Sequence, residues 1–471
     1  RDEIGLPAQR FAKAEWARTP TDANPLFMAA LPNKFVAIVP ADQAAALAEK
    51  VTAAVRDWVR DTAQGMLAEL LEKAGIADTP DLPCHSQLTA QLAGFPEVYW
   101  AAVPFSLIAA DAEGKALAEQ NQLAKASRPF LGNVDAPGFL GSEVWRVLAR
   151  TIEIDGARIL APNPGVLYPA IYDLLDRVAA AAKAVRPFSQ TRQEGYRCDL
   201  TGEAEWLTTD RAQLGYGKSG RKDAPTLWNA AATAFPGQFR KGEHLSAIAM
   251  LKRLWPRRFV REISSVIGKD IGRYVISTHT MALATSLEKW IAADGGRQAQ
   301  AGLLEAAQTP TALPLRLMRD LQDKSPETRQ LAKAIPAWLD DDNDDESRRE
   351  KKQKDIANLL GGKPEAYYAF ILLDGDRMGA WLSGTEAGYN LPYAKTWHPK
   401  IRAGVQGKFP QLDAYLKADR AVSPARHMAI SAALNDFALH MARHVVEDLC
   451  KGKLLYAGGD DVLAMVSVDD L

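Results

Sequence analysis

Leu454-Leu455-Tyr456-Ala457-Gly458-Gly459-Asp460-Asp461-Val462-Leu463-Ala464-Met465-Val466 holds two apolar runs of strand length separated only by Gly-Gly-Asp-Asp. Such a string reads as a tight β-hairpin, because glycine reaches the positive φ values that a two-residue connection needs. The hairpin tip then presents Asp460 and Asp461. Upstream, Tyr367-Tyr368-Ala369-Phe370-Ile371-Leu372-Leu373 reads as a strand by its length, its aromatic content and the breakers Gly361-Gly362-Lys363-Pro364 before it. It ends on Asp374-Gly375-Asp376. Between the two, Ile430, Leu434, Phe437, Met441, Val445 and Leu449 mark the expected apolar face of one long helix, which would pack on the sheet and bring both tips together.

Clustered carboxylates on rigid strand ends suit one chemistry. Joining nucleotides requires an oxygen nucleophile to attack an α-phosphate while pyrophosphate leaves, and two divalent ions about 3.5–4 Å apart stabilise the charge on both oxygens. Mg2+ is held by one or two carboxylates with substrate phosphates and water, so His and Cys ligands are not needed. Asp374 and Asp460 are the expected primary metal ligands, with the Gly375 carbonyl adding another and Asp461 and Asp376 assisting. Gly375, Gly458 and Gly459 are expected to let the backbone turn sharply and to leave room for a triphosphate. The competing reading is an ordinary turn with solvated acids, since Gly and Asp are favoured turn residues. A Gly-Gly-Asp-Asp string arises by chance in roughly one chain in a hundred of this length. The second strand-ending acid group upstream is what weighs against coincidence.

The rest of the chain sets bounds. Its 471 residues and 47% hydrophobic content suffice for about three or four domains with buried cores. Lys+Arg number 57 against 58 Asp+Glu, so any nucleic-acid surface must be a local patch. Cys84, Cys198 and Cys450 are far apart and odd in number, which argues against a disulfide framework and for a reducing compartment, expected to be the cytoplasm. No apolar run approaches the ~18 residues needed to span a bilayer, so no membrane is expected among the partners. Arg1 rather than Met at the start is what a fragment would show. Residues 35–39 and 98–103 read as strands around a helix over 41–75, a βαβ-like unit. The acidic run from Asp340 to Glu346, leading into Arg348-Arg349-Glu350-Lys351-Lys352, reads as a solvated linker and charged helix.

Together with Leu31-Pro32-Asn33-Lys34-Phe35, Ser277-Thr278-His279-Thr280, Asp374-Gly375-Asp376-Arg377-Met378-Gly379 and Ser423-Pro424-Ala425-Arg426-His427, the hairpin motif closely resembles the large subunit of type III-B (Cmr) CRISPR RNA-guided effector complexes, over nearly the whole chain. The resemblance implies an α/β (α+β) fold: two palm, ferredoxin-like nucleotidyl-cyclase-type domains separated by a degenerate zinc-finger-like segment and a helical region. Boundaries follow at 1–135 for a non-catalytic first palm, 136–242 for a helical and zinc-finger-like segment, 243–360 for a helical domain with a charged linker, and 361–471 for the catalytic palm. The first unit has no comparable acid pair. The implied activity is conversion of ATP into cyclic oligoadenylate and pyrophosphate on capture of target RNA, with Asp374, Asp460 and Asp461 catalytic around Mg2+ or Mn2+. Implied partners are the other Cmr subunits, CRISPR guide RNA, target RNA and ATP. The alternative is a catalytically silent scaffold binding guide or target RNA and the neighbouring Cmr subunit, against which clustered, mutually repelling carboxylates count.

The sequence departs from that family in three places. Cys198 keeps one ligand of the family's zinc site while Thr201, Ser246 and Ala249 replace the other three; a structural zinc needs four N or S ligands, so none is expected there despite nearby His244. No His-Asp dipeptide occurs, so the His-Asp nuclease activity of many members is not expected of this chain. Leu471 follows closely on the hairpin, where the family continues with more of the palm and a small helical domain.

Overall fold

The computed structural model describes Thr21 and residues 33–108, 122–186, 193, 195–235, 238–293, 311–339, 346–384, 386 and 388–471. Leu31, Pro32 and the acidic run at 340–345 lie outside these residues. The chain divides into two compact units of interleaved stretches, one of Ala37–Ile263 with Ser383–Ser423, the other of Arg1–Val36, Ser264–Leu382 and Pro424–Leu471. Helices and small antiparallel sheets make up both, an α+β architecture.

In the unit of residues 37–263 and 383–423, the helix Ala44–Lys73 buries Ala63, Met66, Leu67, Leu70 and Leu71 against Trp206, Trp228, Leu245 and Met250. The helix expected over 41–75 is there, but its first turns stay in solvent: Val55 and Trp58 are exposed, and Trp58 meets Trp255 edge-on at 5.4 Å. A small hairpin joins β1 (Ile152–Ile154) to β2 (Ala157–Leu160) through Asp155 and Gly156, both at positive φ, the two-residue turn that an Asp-Gly pair favours. The strands expected at 35–39 and 98–103 need correction. Neither segment enters a ladder among the described residues, and Phe35 and Ile38 are 76% and 69% exposed. An apolar, β-prone run becomes a strand only where a neighbour accepts its hydrogen bonds, which composition alone does not reveal.

The other unit is organised by a three-stranded antiparallel sheet of β3 (Tyr368–Leu373), β4 (Gly452–Gly458) and β5 (Asp461–Ser467), in the order β3-β5-β4. Its elements match those expected around the two acid tips. One sheet face packs Ala369, Ile371, Leu454, Ala457, Val462, Ala464 and Val466 against Ala438, Ala442 and Val446 of the long helix. At the far end of the opposite face, Met465 and Tyr368 pack with Met281 of the helix Thr278–Ala292, whose N-cap Ser277 accepts a hydrogen bond from the Thr280 amide. A further cluster around Leu287, Ile291, Leu317, Leu331 and Ile335 joins that helix to Leu315–Asp320 and Pro326–Leu339.

The long helix departs from expectation in its buried face. After Pro424–Asp436 it is wound as π-helix over Phe437–Ala442 and His444–Leu449. Met441, Val445 and Leu449 are exposed, while Ala438, Ala442 and Val446, one position further on, meet the sheet. Buried beside them, the Arg443 guanidinium lies 2.9 Å from Glu447, and the Lys453 ammonium lies 3.0 Å from the other Glu447 oxygen and 5.0 Å from the centre of the Tyr274 ring. Burial pushes the Tyr274 phenol above its usual range, with the Glu447 charge adding to the effect.

Candidate metal centre

Because β5 lies between two antiparallel neighbours, the C-terminal ends of β3 and β4 share one sheet edge with the start of β5. Leu373 pairs with Val462 and Gly458 with Asp461. One step beyond the β3 ladder sets Asp374 opposite Asp461, and the next sets Gly375 opposite Asp460. Carboxylate oxygens of Asp374, Asp460 and Asp461 lie within 4.8 Å of one another. Asp374 and Asp461 are exposed and Asp460 is half-buried, so all three can be reached from solvent.

The glycines fit this packing closely. A Cβ on Gly375 would lie 2.5 Å from the Asp460 Cβ, so only glycine lets the two acid tips close on each other. Gly459 has φ +64 with open space around it, at the first position of the two-residue turn Gly459-Asp460. A Cβ on Gly458 would lie 2.5 Å from the Tyr456 hydroxyl. Asp376 is not among the converging acids; it sits in the turn ahead of the helix Met378–Ser383, next to Arg377, whose φ of 54 is left-handed. That turn fits Asp376 poorly as a ligand beside the other three.

Electrostatics mark the cluster. Partial desolvation, then the charges of Asp460 and Asp374 and a hydrogen bond with Asp374, raise the Asp461 carboxyl above its ordinary value. Three carboxylates this close repel one another, and a divalent cation is the natural complement. An all-oxygen donor set suits a hard ion such as Mg2+ or Mn2+. The residues present therefore fit the expected metal.

Other singled-out residues have structural partners. Arg426 donates to the Trp381 carbonyl at 3.1 Å and a His427 ring nitrogen lies 2.8 Å from the Leu382 carbonyl, fastening the long helix to the end of Met378–Ser383. At the degenerate zinc position Cys198 is buried. Burial disfavours its thiolate, yet hydrogen bonds from the backbone and hydroxyls of Ser246 and Thr201 outweigh this and lower the thiol below its ordinary value. His244 already uses both ring nitrogens, on the Gly242 carbonyl at 2.9 Å and the Thr226 hydroxyl at 3.0 Å. One thiol and two hydroxyls gather where the resemblance implies four sulfurs. Sequence reading passed over Tyr456, whose ring lies along Gly458; an aromatic two residues before a glycine on one strand face was the available signal.

A family profile described as the second palm domain of Cas10/Cmr2 matches residues 367–471. The CRISPR system Cmr subunit Cmr2 of Pyrococcus furiosus is 39% identical over 126 residues, covering 26% of this chain and 13% of that protein. The solved type III-B Cmr-beta complex in its apo state contains a chain similar at TM-score 0.43 and 16% identity, over 74% of this chain and 45% of the other. A chain of the same complex bound to cognate target RNA gives 0.41 and 16%, over 68% and 41%. The present chain thus matches less than half the length of each of these proteins. Residues 367–471, with their acid-tipped hairpin, are thus similar to the second palm domain of Cas10/Cmr2.

Proposed function

We propose that this chain carries the catalytic palm of a nucleotidyltransferase that converts ATP into cyclic oligoadenylate and pyrophosphate, as the large subunit of an RNA-guided complex with other Cmr subunits, guide RNA and target RNA. The observation that carries this reading is the convergence of Asp374, Asp460 and Asp461 at one sheet edge. These three residues would hold Mg2+ or Mn2+, which supplies charge stabilisation at the attacking and leaving oxygens. In each joining step a ribose hydroxyl oxygen forms a bond to the α-phosphorus of another ATP as the bond to pyrophosphate breaks, and the hydroxyl proton passes to solvent. The chain's own contribution is placement: paired strands fix two acids, and Gly375 lets the third approach. A rigid arrangement matters because misplacement by about 1 Å costs ~100-fold in rate.

The test is mass spectrometry of products from the full-length protein in its RNA-guided complex, given matching target RNA, ATP and Mg2+ or Mn2+. Cyclic oligoadenylates that disappear in Asp460→Ala/Asp461→Ala are the expected result. An intact complex that binds RNA and makes no product with either metal would reduce the chain to a scaffold.

A further inference from the structure

Alternation along the strands places the acids on a particular sheet face. Ala369 and Ile371 of β3 and Val462, Ala464 and Val466 of β5 pack against the long helix. Residues 370, 372 and 374, and likewise 461, 463 and 465, therefore belong to the opposite face. Near the acids that face carries one row across three strands, because Tyr456 pairs with Leu463 and Leu463 with Leu372. The row is open: Leu372 is 75% exposed, Tyr456 37%, and Phe370, next along β3, 58%. The Tyr456 ring runs along its strand toward the turn, since a Cβ on Gly458 would lie 2.5 Å from its hydroxyl and 2.8 Å from the ring carbon bearing it. Glycine at 458, the ladder partner of Asp461, thus makes room for the hydroxyl end of the ring.

We propose that Tyr456, with Leu463 and Leu372, seats the nucleobase of the bound nucleotide; this rests on the metal-centre reading above. Two residues of strand, about 7 Å, separate the row from Asp374 and Asp461. That is the order of the span from an α-phosphate across a ribose to its base. A ligand apolar and flat at one end, and carrying cation-bridged phosphates at the other, complements both halves of this surface. An apolar strip from a second protein would instead bury the acids against it without partners. Stacking on a tyrosine ring holds any base, so the row gives affinity and orientation and leaves the choice of base to other groups.

Calorimetric titration of the full chain with ATP and with inorganic tripolyphosphate, both in Mg2+, separates the two readings. Wild type is expected to bind both, ATP more tightly. Tyr456→Ala should weaken ATP about 5- to 150-fold while tripolyphosphate stays within about twofold, and Tyr456→Phe should keep ATP affinity. Leu372→Ala, at an exposed position that folding tolerates, should weaken ATP about 2- to 10-fold with tripolyphosphate again unchanged. Equal loss of both ligands in Tyr456→Ala, or ATP affinity unchanged in both alanine variants, overturns the base seat and leaves the metal centre standing. Wild type that binds neither ligand overturns the metal centre and the base seat together.

Discussion

Partial desolvation and the two neighbouring carboxylates act together on Asp461. Its folded pKa lies above the ordinary value, so the native state binds protons more readily than the unfolded chain and loses stability as pH rises through that window. Asp461→Asn removes the repulsion. In metal-free buffer at pH 7 its melting temperature should exceed that of wild type, and the gap should close at pH 3, where both carboxyl states are protonated. Added Mg2+ should reverse the order by stabilising wild type alone. Scanning calorimetry at the two pH values checks the sign, and a variant that melts lower than wild type without metal would contradict it. Gly375 is the complementary case, because its missing Cβ is the space that Asp460 occupies. Gly375→Ala should cost about 1–3 kcal/mol by overpacking. It should also weaken Mn2+ binding, since the hairpin tip must retreat. Unchanged stability and metal affinity would show that the acid tips are not pressed together as described.

At the scale of elements, the long helix and the sheet make a face-specific prediction. Val446→Ala removes side-chain volume from the interface with the sheet and should cost about 2 kcal/mol, whereas Val445→Ala, at a position 40% exposed, should stay within about 0.5 kcal/mol. Denaturant melts of the two variants decide which face is buried; the reverse ranking would restore the stripe expected from sequence. That stripe was misread for a physical reason. Periodicity picks out large apolar side chains, Met441, Val445 and Leu449, but π-winding after Asp436 turns small Ala438 and Ala442 to the sheet and buries Arg443 and Glu447 as a pair. The hairpin and β3 were legible because Gly-Gly-Asp-Asp and Gly-Gly-Lys-Pro punctuate them locally, and the acids at their tips were legible with them. Residues 35–39 carry the same apolar signal without a ladder, because pairing depends on chain far away in sequence. The exclusion of Asp376 from the acid group was equally hidden, since it follows from the turn at 376–377.

For the molecule as a whole, the palm-bearing unit draws on Ser264–Leu382 and Pro424–Leu471, and side chains far apart in sequence tie these stretches together. Lys451 reaches Glu288 at 2.8 Å and Asp470 at 3.1 Å, and Arg316 approaches Glu288 at 3.1 Å. Burial opposes ionisation of Asp470, yet the Lys451 amide and ammonium and the Ser467 hydroxyl outweigh it and hold the carboxyl below its ordinary value. A depressed folded pKa contributes stability that is present above the ordinary value of 3.8 and is lost as pH falls through the folded pKa. Asp470→Asn should therefore melt lower than wild type at pH 6, with the difference shrinking below pH 3.8; a difference independent of pH would contradict the ionised contact. The proposed function stands on Asp374, Asp460 and Asp461 acting as one divalent-metal centre. Electron paramagnetic resonance of Mn2+ titrated into the full chain tests it most directly, by comparing wild type with Asp374→Asn and Asp460→Asn. Wild type is expected to bind Mn2+ that Mg2+ displaces, and both variants are expected to lose it. Mn2+ bound equally well by all three proteins, or by none, would contradict it.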